Sequence, residues 1–132
     1  MPVNAETLVF LLTILLGFAQ ILILVVLANS VYGLGPLVGP RDNLQPSDNK
    51  WLGRMRRANE NFKETLPWAL GLLIMVQITG HSSATTVAGA WLYFWARVAY
   101  VPLYLFGIPW LRTLAWTASI IGLGMLLVPI FG

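Results

Sequence analysis

The chain has 132 residues, 58% of them hydrophobic and only 10% charged, with a mean hydropathy of +0.75. That is too apolar for a water-soluble domain of this size and places residues 1–132 in the integral-membrane class as one domain. The absence of cysteine excludes disulfides, thiolate metal sites and a protein thiol nucleophile. The net charge of +3 fits membrane orientation or contact with anionic lipid better than nucleic-acid binding, since no basic face interleaved with aromatics lies outside the apolar runs.

No charged residue lies between Glu6 and Arg41, and the apolar run at about 8–32 is long enough to cross a hydrocarbon core of roughly 30 Å. It lacks a basic n-region and is much longer than a signal-peptide core, so it is predicted to be a first membrane helix. Gln20 near its middle and Asn29-Ser30 near its end are costly in lipid and are expected to face other helices, Gln20 as a packing contact. Gly33, Gly35, Pro36, Gly39, Pro40 and Pro46 predict a loop over 33–46. Ser47 and Asp48 are N-cap candidates for a second helix that continues to Gly80, a length of roughly 48 Å. Only its part over about 63–80 is needed inside the membrane, so its first turns are expected to extend into water. Pro67 predicts a kink within it.

The uncharged stretch between Glu64 and Arg97 is interrupted by Gly80-His81-Ser82-Ser83 and is too short for two complete spans. The third helix is therefore expected to run past Arg97, over about 84–106, with a bend at Pro102. Gly107-Ile108-Pro109 makes a short turn, and Pro109 suits the first position of a fourth span over about 110–128. Six of the eight basic residues, Arg41, Lys50, Arg54, Arg56, Arg57 and Lys63, lie between the first and second spans, and Arg112 lies on the same side. The positive-inside rule makes that side cytoplasmic. The expected fold is an all-α integral membrane four-helix bundle with both termini non-cytoplasmic and the second helix extending into the cytoplasm.

Chemistry concentrates on the second to fourth helices. At 100° per residue Arg54, Arg57, Asn61 and Glu64 fall in one stripe. Arg97, Tyr100 and Tyr104 form a second, with Tyr93 one turn earlier. A membrane-embedded arginine is expensive unless it pairs or meets a ligand, and Glu64 is the expected partner of Arg97, relieving a like-charge contact with Glu60. Arg54, Arg57 and Arg112 then remain in excess over the carboxylates, a surplus suited to an anionic ligand. Tyr100 and Tyr104 are within reach of these cations, whereas Tyr93 is expected to pack or anchor. His81, the one histidine, lies in the far loop, and neither metal nor Ser-His-Asp chemistry has a ligand set.

Arg57-Ala58-x-x-Asn61-x-x-Glu64-Thr65-Leu66-Pro67, then Ala96-Arg97-Val98-Ala99-Tyr100-x-x-x-Tyr104-x-x-Gly107 and Arg112-Thr113, resemble the MAPEG family, the membrane-associated proteins of eicosanoid and glutathione metabolism, and most closely its short bacterial members. The resemblance implies a homotrimer of four-helix chains in the bacterial inner membrane, with glutathione held between subunits near the cytoplasmic face. It implies that Arg57, Asn61, Glu64, Arg97, Tyr100 and Tyr104 line the glutathione site and that Arg112 stabilises the thiolate. Arg54 joins the binding set through its place on the stripe. Glu60, where a basic residue is common, and Trp116, where a tyrosine is common, depart from the pattern. The expected function is a glutathione-dependent transferase or peroxidase acting on lipophilic electrophiles from the bilayer. The alternative is a non-catalytic accessory subunit or lipid-binding partner of a membrane assembly, whose polar network is structural.

Overall fold

The computed structural model describes residues 3–42, 45 and 48–132. Every regular element among them is helical: α1 (Ala5–Tyr32), α2 (Leu34–Val38), α3 (Lys50–Thr79), α4 (Ala84–Leu105) and α5 (Pro109–Phe131). The chain is all-α, and α1 and α5 are long and apolar enough to cross a membrane.

The helix ends follow from local chemistry. Asn4 caps α1 by accepting from the Thr7 N–H at 2.9 Å, so the helix starts before the predicted residue 8 and includes Glu6 in its first turn. Leu34–Val38 is a short helix inside the expected loop. Pro36 falls in its first turn, where a missing N–H costs no intrahelical bond. Asn49, rather than Asp48, caps α3 by accepting from the Leu52 N–H at 3.0 Å; Pro46 and Ser47 lie outside the described residues. Gly80, at φ 69°, closes α3 with the paired bonds Gly80 N–H to Gln77 O and His81 N–H to Val76 O. A reciprocal Ser83/Thr86 capping box opens α4, and Pro109 opens α5, which runs through Pro129 to Phe131. The α3 and α4 helices continue through Pro67 and Pro102.

Both α3 and α4 touch all the other long helices, while α1 and α5 lie on opposite sides of them without mutual contact. The α4–α5 contact is the most extensive and is set by two glycines. A Cβ on Gly89 would come within 2.6 Å of Met125 Cβ and 2.8 Å of Gly122 O; one on Gly122 would lie 2.7 Å from Gly89 O and 2.8 Å from Tyr93 N. Around this contact Val9, Ala69, Leu73, Val76, Ala90, Tyr93, Phe94, Leu123 and Leu126 form the core. Tyr93 is fully buried and its hydroxyl is hydrogen-bonded to Thr65 Oγ1 at 3.0 Å, so it packs as expected.

The polarity of α1 is inverted relative to a soluble protein. Its buried residues are Glu6, Val9, Thr13 and Gln20, three of them polar, while Leu15, Phe18, Leu22 and Val26 are 59–67% exposed. In water this arrangement would expose the apolar side and desolvate the polar one; in lipid both groups are correctly placed. Glu6 accepts from Ser82 Oγ at 2.6 Å and Thr86 Oγ1 at 2.8 Å, tying the start of α1 to the α3–α4 loop.

These contacts predict different responses from two glycines. Gly122→Ala must push α4 and α5 apart and is expected to destabilise by about 1–3 kcal/mol or more. Nothing lies within 4 Å of a Cβ on Gly71. Gly71→Ala should therefore keep or raise stability, removing a helix-interior glycine penalty of about 1 kcal/mol. Thermal unfolding of both variants in one detergent makes the comparison.

Candidate functional site

The N-terminal half of α3, the C-terminal half of α4 and the first two turns of α5 enclose a polar crevice. Its larger part, about 390 Å³, is lined by Arg57, Glu60, Asn61, Glu64, Tyr100, Tyr104 and Arg112. A smaller part of about 160 Å³ shares Asn61, Tyr100 and Arg112 and adds Thr113 and Trp116. Asn61 and Glu64 stand one and two turns after Arg57 on α3, and Tyr100 and Tyr104 are one turn apart on α4, so helical periodicity alone turns each set to one side.

Tyr104 organises the electrostatics. Arg57 Nε donates to its hydroxyl at 3.2 Å, and the Arg112 guanidinium carbon lies 4.6 Å from its ring centroid. The Tyr100 and Tyr104 rings are 5.6 Å apart, and Arg97 lies over Tyr100 at 4.4 Å. Two adjoining rings therefore stand between Arg97 and Arg112. Ring faces are negative, so each guanidinium is attracted without a carboxylate, and about 0.5–2 kcal/mol per contact holds the cations close together despite their mutual repulsion. The Asn61 Oδ1 atom is buried and has no hydrogen-bond donor within the chain.

Six of the eight predicted site residues thus meet in this crevice: Arg57, Asn61, Glu64, Tyr100, Tyr104 and Arg112. Arg54 and Arg97 do not line it. The Arg54 Nη1 atom donates to Leu105 O at 2.9 Å, at the C-terminal end of α4, where a cation also complements the helix dipole. Gly107, at φ 69°, turns the chain tightly beneath it: a Cβ there would sit 3.0 Å from the Arg54 guanidinium. Arg54 fastens the α4–α5 turn that leads into Arg112.

Arg97 is 1% exposed, beneath the crevice and between the rings of Tyr100 and Phe62. The expected Glu64–Arg97 ion pair is not formed. Glu64 is exposed on the crevice wall, and none of the three Arg97 guanidinium nitrogens has a hydrogen-bond partner within the chain. Glu60 pairs with Lys63 at 2.9 Å, the one ion pair among the described residues, which at this exposure contributes at most about 1 kcal/mol. Gln20 is buried as expected, but neither end of its amide finds a partner.

Glu60, Thr113 and Trp116 join the lining without having been assigned to the site. For Trp116 the signal is its position one turn after Arg112 on the same face; Glu60 lies one turn before Glu64 on α3. His81 stays in the remote loop, bonded through Nδ1 to Thr79 Oγ1, and among the described residues no His/Cys/Asp/Glu cluster could hold a metal.

An unpartnered buried guanidinium carries a desolvation cost of several kcal/mol against about 2 kcal/mol from each ring. Arg97→Met should therefore leave the thermal stability of the ligand-free protein unchanged or raised. A drop of several degrees in Tm would mean that the charge is paired.

With this geometry in view, comparison with known proteins is informative at the level of family. No curated protein matches the chain. The MAPEG family model matches residues 7–132, covering all four long helices and every residue of the crevice. Together with the two membrane-length helices and the inverted polarity of α1, that match makes this an integral membrane protein of the glutathione and eicosanoid metabolism type, a member of the MAPEG family over nearly its whole length.

Proposed function

We propose that the protein is a glutathione-dependent transferase or peroxidase acting on lipophilic electrophiles that reach it from the bilayer. The observation that carries this reading is the placement of Arg57 and Arg112 on either side of Tyr104, in a crevice that also presents Glu60, Glu64 and the orphaned Asn61 oxygen. Glutathione has two carboxylates, an ammonium group, peptide N–H donors and a thiol, and this donor set answers each of them. Arg57 is suited to a carboxylate, Glu60 and Glu64 to the ammonium, and Asn61 Oδ1 to an N–H.

Glutathione, when bound, supplies the nucleophilic sulfur that the cysteine-free chain lacks. Arg112 is the guanidinium that borders both parts of the crevice. A fixed cation beside the sulfur favours the thiolate, which is the reactive form, and Tyr104 holds that cation without neutralising it. Trp116 lines the smaller cavity beside Arg112 and gives it an apolar wall suited to a lipophilic electrophile. Arg54 and Arg97 act behind this surface, Arg54 by fixing the turn before Arg112 and Arg97 by supporting Tyr100.

In this proposal α1, α3, α4 and α5 all span the bacterial inner membrane as one domain. The basic end of α3 lies at the cytoplasmic side of the membrane, both termini lie outside, and three copies associate. Support for association comes from Gly124, where an added Cβ meets nothing within 4 Å and a neighbouring helix has room to approach. A second reading is favoured by one observation: Arg57 and Arg112 are both engaged by Tyr104 within the chain. That self-sufficiency suits a non-catalytic accessory subunit in which the network is structural.

Adding millimolar glutathione to the purified protein should produce the ultraviolet absorbance of a bound thiolate and support conjugation of an aryl halide. Arg112→Leu should keep the fold and the oligomer while thiolate formation falls at least about tenfold. Lack of glutathione binding by the folded wild type would remove the enzyme reading, and loss of folding in Arg112→Leu would favour the structural one.

A further inference from the structure

Away from the crevice, the start of α3 meets the α4–α5 turn at an exposed patch that the proposed chemistry does not use. Lys50 Nζ lies 5.4 Å from the ring of Trp51, and the Arg54 guanidinium carbon lies 5.9 Å from the same ring. Neither cation has a carboxylate partner: the one ion pair among the described residues is Lys63–Glu60, and Asp48, two residues before Lys50, pairs with neither. Trp51 packs edge-on against Phe106 at 5.9 Å between ring centroids. Trp51 is 38% exposed and Phe106 66%, so two aromatic rings stand at the surface beneath two uncompensated positive charges.

We propose that this patch is a seat for an anionic phospholipid, with the phosphate between Lys50 and Arg54 and the glycerol and upper acyl chain against Trp51 and Phe106. A soluble anion would satisfy the charges and leave the rings in water. A neutral lipid would cover the rings and leave the charges unmatched. An anionic phospholipid answers both, because its charge and its hydrocarbon meet at the interfacial depth where tryptophan is favoured. Arg54 is already held by Leu105 O through Nη1, so half of the headgroup seat is pre-ordered and binding has little side-chain freedom left to remove. Lipid bound here would brace the turn that leads into Arg112, so the charge of the surrounding membrane would bear on the stability of the crevice. The proposal stands independently of the glutathione assignment.

The test uses the full chain in neutral detergent, with Tm followed while dioleoylphosphatidylglycerol, dioleoylphosphatidylcholine or sodium phosphate is added. The phosphatidylglycerol should raise Tm, at concentrations at which the phosphatidylcholine and the phosphate do not. Lys50→Gln should weaken the phosphatidylglycerol effect about fivefold in apparent affinity, the worth of one basic residue at an anionic surface. Lys50→Glu should abolish it while folding normally, since a carboxylate in the first turn of a helix suits its dipole. Arg112→Leu should retain the effect. Equal shifts with both lipids, an equal shift with phosphate alone, an undiminished response in Lys50→Glu, or a response lost in Arg112→Leu would each overturn the proposal.

Discussion

The backbone contact between Gly89 and Gly122 fixes the relation of α4 to α5, and the crevice depends on it. No side chain separates the helices at that point, so they can neither slide nor roll without one helix colliding with the other. From there α4 runs about 22 Å to Tyr104 and α5 about 15 Å back to Arg112, at 1.5 Å per residue. A slip of one turn, about 5.4 Å, would carry Arg112 past the ring it rests on. Tyr93 transmits the same register to α3 through Thr65, which places Arg57, Asn61 and Glu64 opposite the tyrosines. Arg54 closes the frame at the other end by holding the carbonyl of Leu105.

Within this frame the charges are handled by aromatic faces more than by ion pairs. Four guanidiniums, those of Arg54, Arg57, Arg97 and Arg112, each lie within 6 Å of an aromatic ring centroid, and none of them forms an ion pair. A carboxylate for every arginine would neutralise the crevice, whereas rings hold the cations in place and leave their field intact. Glu60 and Glu64 remain on the wall with the opposite sign, so the crevice has two poles. A zwitterionic ligand with excess negative charge matches such a surface better than a simple anion does.

Most of the fold could be read from the sequence because its determinants are local. Asn, Ser, Gly and Pro at the helix ends, and long apolar runs between them, specify the four long helices to within a few residues. The differences also have local causes: Asn49 out-competes Asp48 as a cap because its side chain reaches the Leu52 N–H, and Pro36 sits in the first turn of a short helix, where proline is tolerated and does not act as a breaker. The stripes on α3 and α4 were legible from their 3.6-residue period, and five of their residues converge, joined by Arg112 of α5. What periodicity could not convey is rotation between helices. It placed Arg54 with Arg57, but the α4–α5 turn lies close enough to capture Arg54 first; it paired Glu64 with Arg97 by depth, but Glu64 is exposed on the crevice wall while the Arg97 guanidinium is buried without a hydrogen-bond partner. The burial of Glu6 was equally hidden, because its hydroxyl partners lie 76 and 80 residues later in the chain.

That separation has a consequence for synthesis. The carboxylate of Glu6 leaves the ribosome first, while Ser82 and Thr86 follow roughly 4–16 s later at ordinary elongation rates. During that interval an acidic group at the head of an otherwise apolar helix has no native hydroxyl to receive it, so α1 cannot reach its final seat. The contact that fixes the first turn of α1 is therefore made only when the second half of the chain arrives. A nascent chain cut short before Thr86 carries an unmet charge, a defect by which membrane quality control can distinguish an unfinished protein from a finished one.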